Sequence, residues 1–532
     1  MQIWFPLILS LAVIGGMFIG FTIKGNMPDK GVFFLQKQKP VQEVLDLVGR
    51  KYVDDENIDS LGGLAIRTIL AALDPHSIYL PVQVLKETTE DLQGRFYGIG
   101  VEFNILNDTT NLINVLKGGP SETAGLKLGD KLLYVEDSLI AGNHTSTETL
   151  KNLLRGVDDS KVTVTILRGN TKKKLTITRG AIPLYSLDAA YMISDTIGYI
   201  RLNKFSENTY KEFMRSMEKL QEKGMKALIF DLRDNGGGIL TEATYIADEF
   251  LSGNKLITYT EGAHSPKKEY RCDKEGVFET GKLIVLANEG TASASEIIIG
   301  ALQDYERATI IGRRTFGKGL VQEQYELSDG SGLRLTVARY YTPLGRSIQK
   351  SYASGFLDYS NDILNRYKHG EMTNGDSIKH TNEKQVVTAS GKILYGGGGI
   401  TPDVFVPVDT MGFDKPMMKA LISGTINQFV YVNYLDNQRE FSSFNTPKVF
   451  RDRYKVNDTT LKNFKDFAAK DSIFLNFSNA RQKTEAERQI KTLTARQIWQ
   501  TEGFYEVSNS YDVVVNKALM VISGDSTKIA KK

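Results

Sequence analysis

Hydrophobic and polar positions divide the chain into five stretches. From Ile3 to Ile23 no charged residue occurs, and Lys24 closes the run. Those 21 residues, at about 1.5 Å of helical rise each, cover about 30 Å, the thickness of a bilayer core. A cleaved signal peptide has a shorter apolar region and a small-residue exit, and neither is visible. Residues 1–24 are therefore expected to be an uncleaved membrane anchor, with a cleaved signal and a buried helix as alternatives. Its orientation is weakly coded, because no Lys or Arg precedes it.

Residues 25–95 read as helical. Val44, Leu47 and Val48 share one face, the pattern continues from Leu61 to Leu73, and Asp74-Pro75 stops it. Residues 96–182 change to short strands with turns between them, as in Val162-Thr163-Val164-Thr165-Ile166. Residues 183–410 alternate strands with helices. Ser206 is expected to cap a helix with Tyr210, Phe213, Met217 and Leu220 on one stripe, ended by Gly224. Ala227–Phe230 and Leu283–Ala287 are unbroken apolar runs, which predicts strands covered on both faces. The fold class is α/β. A polar insertion, 358–385, is expected to be a surface loop. Residues 411–532 read as mostly helical, without visible chemistry, and the tail 525–532 as frayed. That last region could pack on the core, mediate dimerisation or form its own module.

Composition narrows the function classes. Lys plus Arg (66) nearly balances Asp plus Glu (63), so no global field points to nucleic acid. A single cysteine, Cys272, excludes an intrachain disulfide and a multi-cysteine zinc site. No metal or cofactor is implied.

Three segments can carry chemistry. Thr291-Ala-Ser293-Ala-Ser295-Glu296 follows a buried strand and opens a helix, where small residues admit a substrate backbone and the helix N-terminus favours negative charge. An ordinary capping box explains the same residues. A serine nucleophile needs a base. None of the histidines (His76, His144, His264, His369, His380) sits in a triad-like setting. Lys318, between Gly317 and Gly319, can serve if burial keeps part of it neutral. Asp231-Leu-Arg-Asp-Asn-Gly-Gly-Gly238 follows another buried strand. No Gly-Lys-Ser/Thr follows it, so a phosphate loop is excluded, and an oxyanion site or a tight turn remains.

Together these segments closely resemble the C-terminal processing (tail-specific) peptidases. The resemblance also takes in Leu73-Asp-Pro-His-Ser-Ile-Tyr79, Ala338-Arg-Tyr-Tyr-Thr-Pro343 and Gly398-Gly-Ile-Thr-Pro-Asp403, and it spans about 41–408. It implies Ser293 as nucleophile, Lys318 as general base and Gln322 as the residue orienting the lysine. Backbone N–H groups of Ala294 and of Gly237 or Gly238 would form the oxyanion hole. Gly236 stands where many relatives have proline, which leaves the choice of donor open. The implied core is crotonase-like. Residues 96–182 resemble a PDZ domain, with Gly98-Ile99-Gly100-Val101 as the loop that holds a substrate's C-terminal carboxylate. Arg155 stands where a PDZ arginine could pair with the protease body and gate it.

The expected activity is therefore endoproteolysis of proteins selected by an apolar C-terminal tail, through a Ser–Lys dyad and an acyl-enzyme. The expected location is the cell envelope, anchored in the inner membrane with the protease facing the periplasm. A homo-oligomer or an activating partner remains open. A catalytically silent PDZ scaffold and an acyl-CoA enzyme on the same core are the rival readings.

Overall fold

The computed structural model describes residues 9–10, 12–17, 40–380, 383–409 and 414–524. Most of the apolar run Ile3–Ile23 and all of the 525–532 tail lie outside them. Residues 9–10 and 12–17 are helical. Among the described residues no helix is long and apolar enough to cross a membrane.

The chain divides into two compact units, Met1–Leu73 and Asp74–Lys532. The first holds helices Pro40–Lys51 and Ile58–Ala71. Asn57 starts the second helix, its side chain accepting the Ser60 N–H at 2.9 Å. Within this pair the Ile58 side chain packs close to Gly49.

The second unit is built on a six-stranded sheet whose spatial order follows chain order. Leu187–Met192 runs antiparallel to Ile197–Leu202. Ala227–Asp231, Lys282–Ala287, Thr309–Gly312 and Val404–Phe405 then add in parallel. Crossover helices Thr209–Glu222, Leu240–Asp248 and Ala294–Asp304 cover one face, where Phe213, Met217, Ile246 and Ile298 pack on Ile200, Phe230 and Val285. The other face, carrying Tyr199, Ile229, Leu286 and Ile311, is covered by Val514, Val515, Ala518 and Ile522. Those four belong to a helix, Val513–Ser523, near the far end of the chain. The doubly buried strands expected from their apolar runs thus owe one of their covers to the C-terminal region.

A second, antiparallel sheet contains Ile78–Leu80, Leu256–Gly262, Ser265–Arg271, Leu320–Glu326 and Gly332–Tyr341. Residues 101–178 form a separate sheet around Leu112, Leu132, Val162, Val164 and Ile166, closed by helix Thr147–Leu154. This domain enters and leaves through an antiparallel ribbon, Arg95–Gly98 with Gly180–Pro183.

Two local expectations are corrected. The helix after Ser206 starts at Thr209, because the Ser206 hydroxyl is engaged with Ser186 at 2.7 Å instead of capping. The 358–385 insertion is more than a surface loop: it contains helix Asp362–Lys368, whose buried Arg366 donates to Thr315 O at 2.7 Å.

Candidate active site

Ser293 follows strand Lys282–Ala287 and immediately precedes helix Ala294–Asp304, with φ 57° and ψ −117°. A non-glycine residue held there stores roughly 1–3 kcal/mol of strain, which the surrounding contacts must hold in place. Those contacts converge on Glu296. Its carboxylate accepts the N–H groups of Ser293 (2.9 Å), Gly317 (2.8 Å) and Lys318 (2.9 Å) and the Thr315 hydroxyl (2.5 Å). The capping-box glutamate foreseen in the sequence therefore bonds to two loops rather than one. Tyr340 Oη ties the same two loops from the other side, lying 3.0 Å from Ser293 O and 2.8 Å from Lys318 O with its one proton shared. Burial raises the Glu296 carboxyl to about 7 against the pull of its four donors.

Lys318 Nζ donates to Gln322 Oε1 at 2.9 Å, and Gln322 Nε2 donates to His76 O. Burial pushes the lysine down to about 8. Arg334 adds to that shift, and the Glu296 and Asp74 carboxylates oppose it. About a fifth of such a lysine is neutral at pH 7.4, against about 0.1% of an ordinary one. Asp74 organises the segment behind Gln322, accepting His76 N at 2.8 Å, Ser77 N at 2.9 Å and Ser77 Oγ at 2.6 Å. The His76 ring bonds to Tyr359 Oη at 2.6 Å, and burial lowers it to about 4.

The glycine loop meets the serine directly. A Cβ on Gly237 would lie 2.7 Å from Ser293 Cβ, and the residue has φ +98°, so only glycine fits. Its N–H, however, is taken by Asn235 Oδ1 at 2.9 Å. Gly238, at φ +141°, packs on the Phe205 backbone. Ala294 opens the helix beside the serine. Behind the loop, buried Asp231 is held by Arg233 (2.6 Å), Arg201 (3.1 Å) and Tyr199 (2.7 Å), and the two guanidinium groups keep its carboxyl well below the usual range despite burial.

Gly98 ends the ribbon strand, Ile99 is buried in the 101–178 core, Gly100 has φ +74°, and Val101 opens strand Val101–Leu106. That strand pairs on one side only among the described residues, so its outer edge can accept another strand. Arg155 Nη1 lies 3.5 Å from Glu90 on helix Val82–Gln93, and its guanidinium sits 4.5 Å from the Phe96 ring centroid. Glu90 belongs to the helical region that precedes residues 96–182, not to the 183–410 core.

Sequence reasoning missed the parts played by Glu296, Tyr340 and Asp74. All three lie inside quoted motifs, so the signal was present, but their partners are distant in sequence. Among the described residues no group of three or more His, Cys, Asp or Glu could hold a metal ion.

Replacing Glu296 with glutamine is expected to lower kcat on the order of 10- to 100-fold, the worth of one charge-assisted hydrogen bond of about 1.5–3 kcal/mol. Because the Glu296 charge holds the Lys318 pKa up, the variant's pH–rate limb should also move to lower pH. An unmoved limb would show that the two groups do not communicate.

Residues 196–355 match peptidase family S41, and residues 98–178 match the PDZ domain. Residues 417–500 match a family of unknown function, DUF8443. A carboxyl-terminal-processing protease of Synechocystis sp. is 38% identical over 356 residues, which is 61% of this chain and 81% of the relative. A carboxy-terminal-processing protease of Bartonella bacilliformis is 32% identical over 341 residues, 63% of this chain and 78% of the relative. The solved photosystem II D1 C-terminal processing protease is 26% identical, covering 71% of this chain and 88% of its own, with a TM-score of 0.35.

Proposed function

Because the chain belongs to the carboxy-terminal-processing proteases of peptidase family S41, we propose that it cleaves protein substrates with Ser293 as nucleophile and Lys318 as general base. The observation that carries this reading is the lysine. Burial brings it to about 8, its amine bonds to the neutral Gln322 amide, and Glu296 bonds its backbone to that of Ser293.

Neutral Lys318 takes the Ser293 proton, Ser293 Oγ attacks the scissile carbonyl, and the lysine returns the proton to the leaving amine. Water then resolves the acyl-enzyme. Ala294 N–H and Gly238 N–H are the favoured oxyanion donors, since Gly237 N–H is already committed to Asn235. The order of strands and helices supports a crotonase-like core. A slow ester substrate tests the chemistry. An acyl adduct located by mass spectrometry on the peptide containing Ser293 is expected, and an adduct on any other residue refutes the assignment.

The PDZ domain selects substrates by their C-terminal tail, which adds along Val101–Leu106 with its carboxylate at Gly98–Val101. Arg155 gates this step through Glu90. Arg155→Ala should lower kcat/KM for a tailed substrate several-fold and leave the thermal midpoint nearly unchanged, since the ion pair is partly exposed. Unchanged kinetics on the tailed substrate would remove the gating role.

The length of the apolar run Ile3–Ile23 supports a membrane anchor, and an inner-membrane location with the protease facing the periplasm is part of the same proposal. Retention of the full chain in carbonate-washed membranes tests it, and release into the wash refutes it.

A further inference from the structure

Residues 417–500 fall in a family without an assigned role, yet the helices around them touch both the PDZ domain and the loop beside Ser293. At the PDZ end, Gln497 Nε2 donates to Ile113 O at 2.7 Å and Tyr431 Oη to Leu112 O at 3.4 Å. Both acceptors are main-chain carbonyls of PDZ strand Thr109–Val115. Beside these bonds lies a cavity of about 200 Å³ lined from both sides, by Glu102, Asn104 and Asn114 and by Asn427 and Arg496.

At the other end, Asp512 does two things at once. Its Oδ1 caps helix Val513–Ser523, accepting Val514 N at 2.8 Å and Val515 N at 3.0 Å. Its Oδ2 accepts Arg233 Nη1 at 2.8 Å. The Tyr505 ring centroid lies 4.6 Å from the Arg201 guanidinium. Arg201 in turn donates to Arg233 O at 2.9 Å, and both arginines grip Asp231. These contacts fix the start of the 231–238 loop, whose Gly237 abuts Ser293. Between the two ends, helix Ala480–Ser508 breaks at Trp499 and Gln500.

We propose that residues 415–523 are a positioning element linking the PDZ domain to the 231–238 loop, with Gln497 and Tyr431 holding the PDZ strand and Asp512 and Tyr505 holding the loop. This rests on reading 231–238 as the oxyanion loop. Asp512 acts through Arg233, so its charge should matter to kcat and not to substrate affinity. The PDZ contacts should matter to how strongly a tail accelerates cleavage.

The full chain is assayed on one protein substrate with a free apolar C-terminal tail and on the same substrate with that tail amidated. Asp512→Asn keeps the helix cap and loses the charge. It should lower kcat about tenfold on both substrates and leave KM within about twofold. Asp512→Ala also loses the cap, so it should lower the thermal midpoint further without a larger kcat effect. Gln497→Ala combined with Tyr431→Phe should cut the tailed-to-amidated ratio of kcat/KM at least about threefold, with kcat on the amidated substrate within about twofold of wild type. Wild-type kcat in Asp512→Asn, or a wild-type ratio in the double variant, would overturn the proposal. Inactivity of the wild-type chain, or activity of Ser293→Ala, would instead overturn the assignment of the protease site.

Discussion

Ser293→Ala is expected to lose cleavage by a factor on the order of 10³ or more while folding normally. The side chain is half-buried and its part in the fold is that of a cap on the first turn of helix Ala294–Asp304, so its loss should cost only about 1 kcal/mol of stability. The backbone contacts that hold its conformation, Ser293 N to Glu296 and Ser293 O to Tyr340, do not involve the hydroxyl. Ser295→Ala is the control. Its Oγ is buried and donates to Asn235 O at 3.1 Å, but that carbonyl also accepts Ala292 N at 2.9 Å and keeps a partner. The loss should therefore be about 1 kcal/mol of stability, with substantial turnover retained. Casein and a tailed protein substrate, assayed beside thermal unfolding, separate the two variants. A dead Ser295→Ala with an active Ser293→Ala would reverse the nucleophile assignment.

The second large effect concerns Lys318. An arginine there keeps the charge and cannot give up its proton at any working pH, so Lys318→Arg should be as inactive as Lys318→Ala, again by about 10³-fold or more. In the wild type, only the neutral lysine accepts the serine proton. The base is therefore absent at low pH and appears as pH rises, and kcat/KM should climb with one deprotonation to a plateau above about 8. A histidine base of ordinary pKa would place that rise near pH 6–7, and His76 would place it near about 4. Replacing His76 should leave the position of the limb near that of wild type. A rise below pH 7, or an active Lys318→Arg enzyme, would end the dyad assignment.

Much of this was legible in the residues because the signals are local. The apolar run Ala227–Phe230 marks a core strand through its own composition, and Ser293 and Lys318 stand within short motifs whose glycines and small residues are themselves unusual. What stayed hidden depends on distance. Glu296 was visible as a cap, but its bonds to Gly317 and Lys318 cross more than 20 positions of chain. Tyr340 reaches Ser293 across 47. Arg366 looked like one charge in a polar insertion, because nothing nearby says that it ends among the carbonyls of Thr315 and Gly398. The C-terminal region was the largest gap. Packing on the core was one of three alternatives for it, and the partner of helix Val513–Ser523 is a sheet that begins more than 300 residues earlier.

The late position of that helix also sets a schedule for biosynthesis. Strand Val404–Phe405 completes the sheet, but Val514, Val515, Ala518 and Ile522 leave the ribosome more than 100 residues afterwards. At about 5–20 residues per second, Tyr199, Ile229, Leu286 and Ile311 stay bare for roughly 5–20 s. A nascent chain whose sheet forms in that interval exposes an apolar face, the kind of surface that is prone to aggregate. Over the same interval Arg233 lacks Asp512. The sheet face and the Arg233 contact are thus both completed only when nearly all of the described chain has been made.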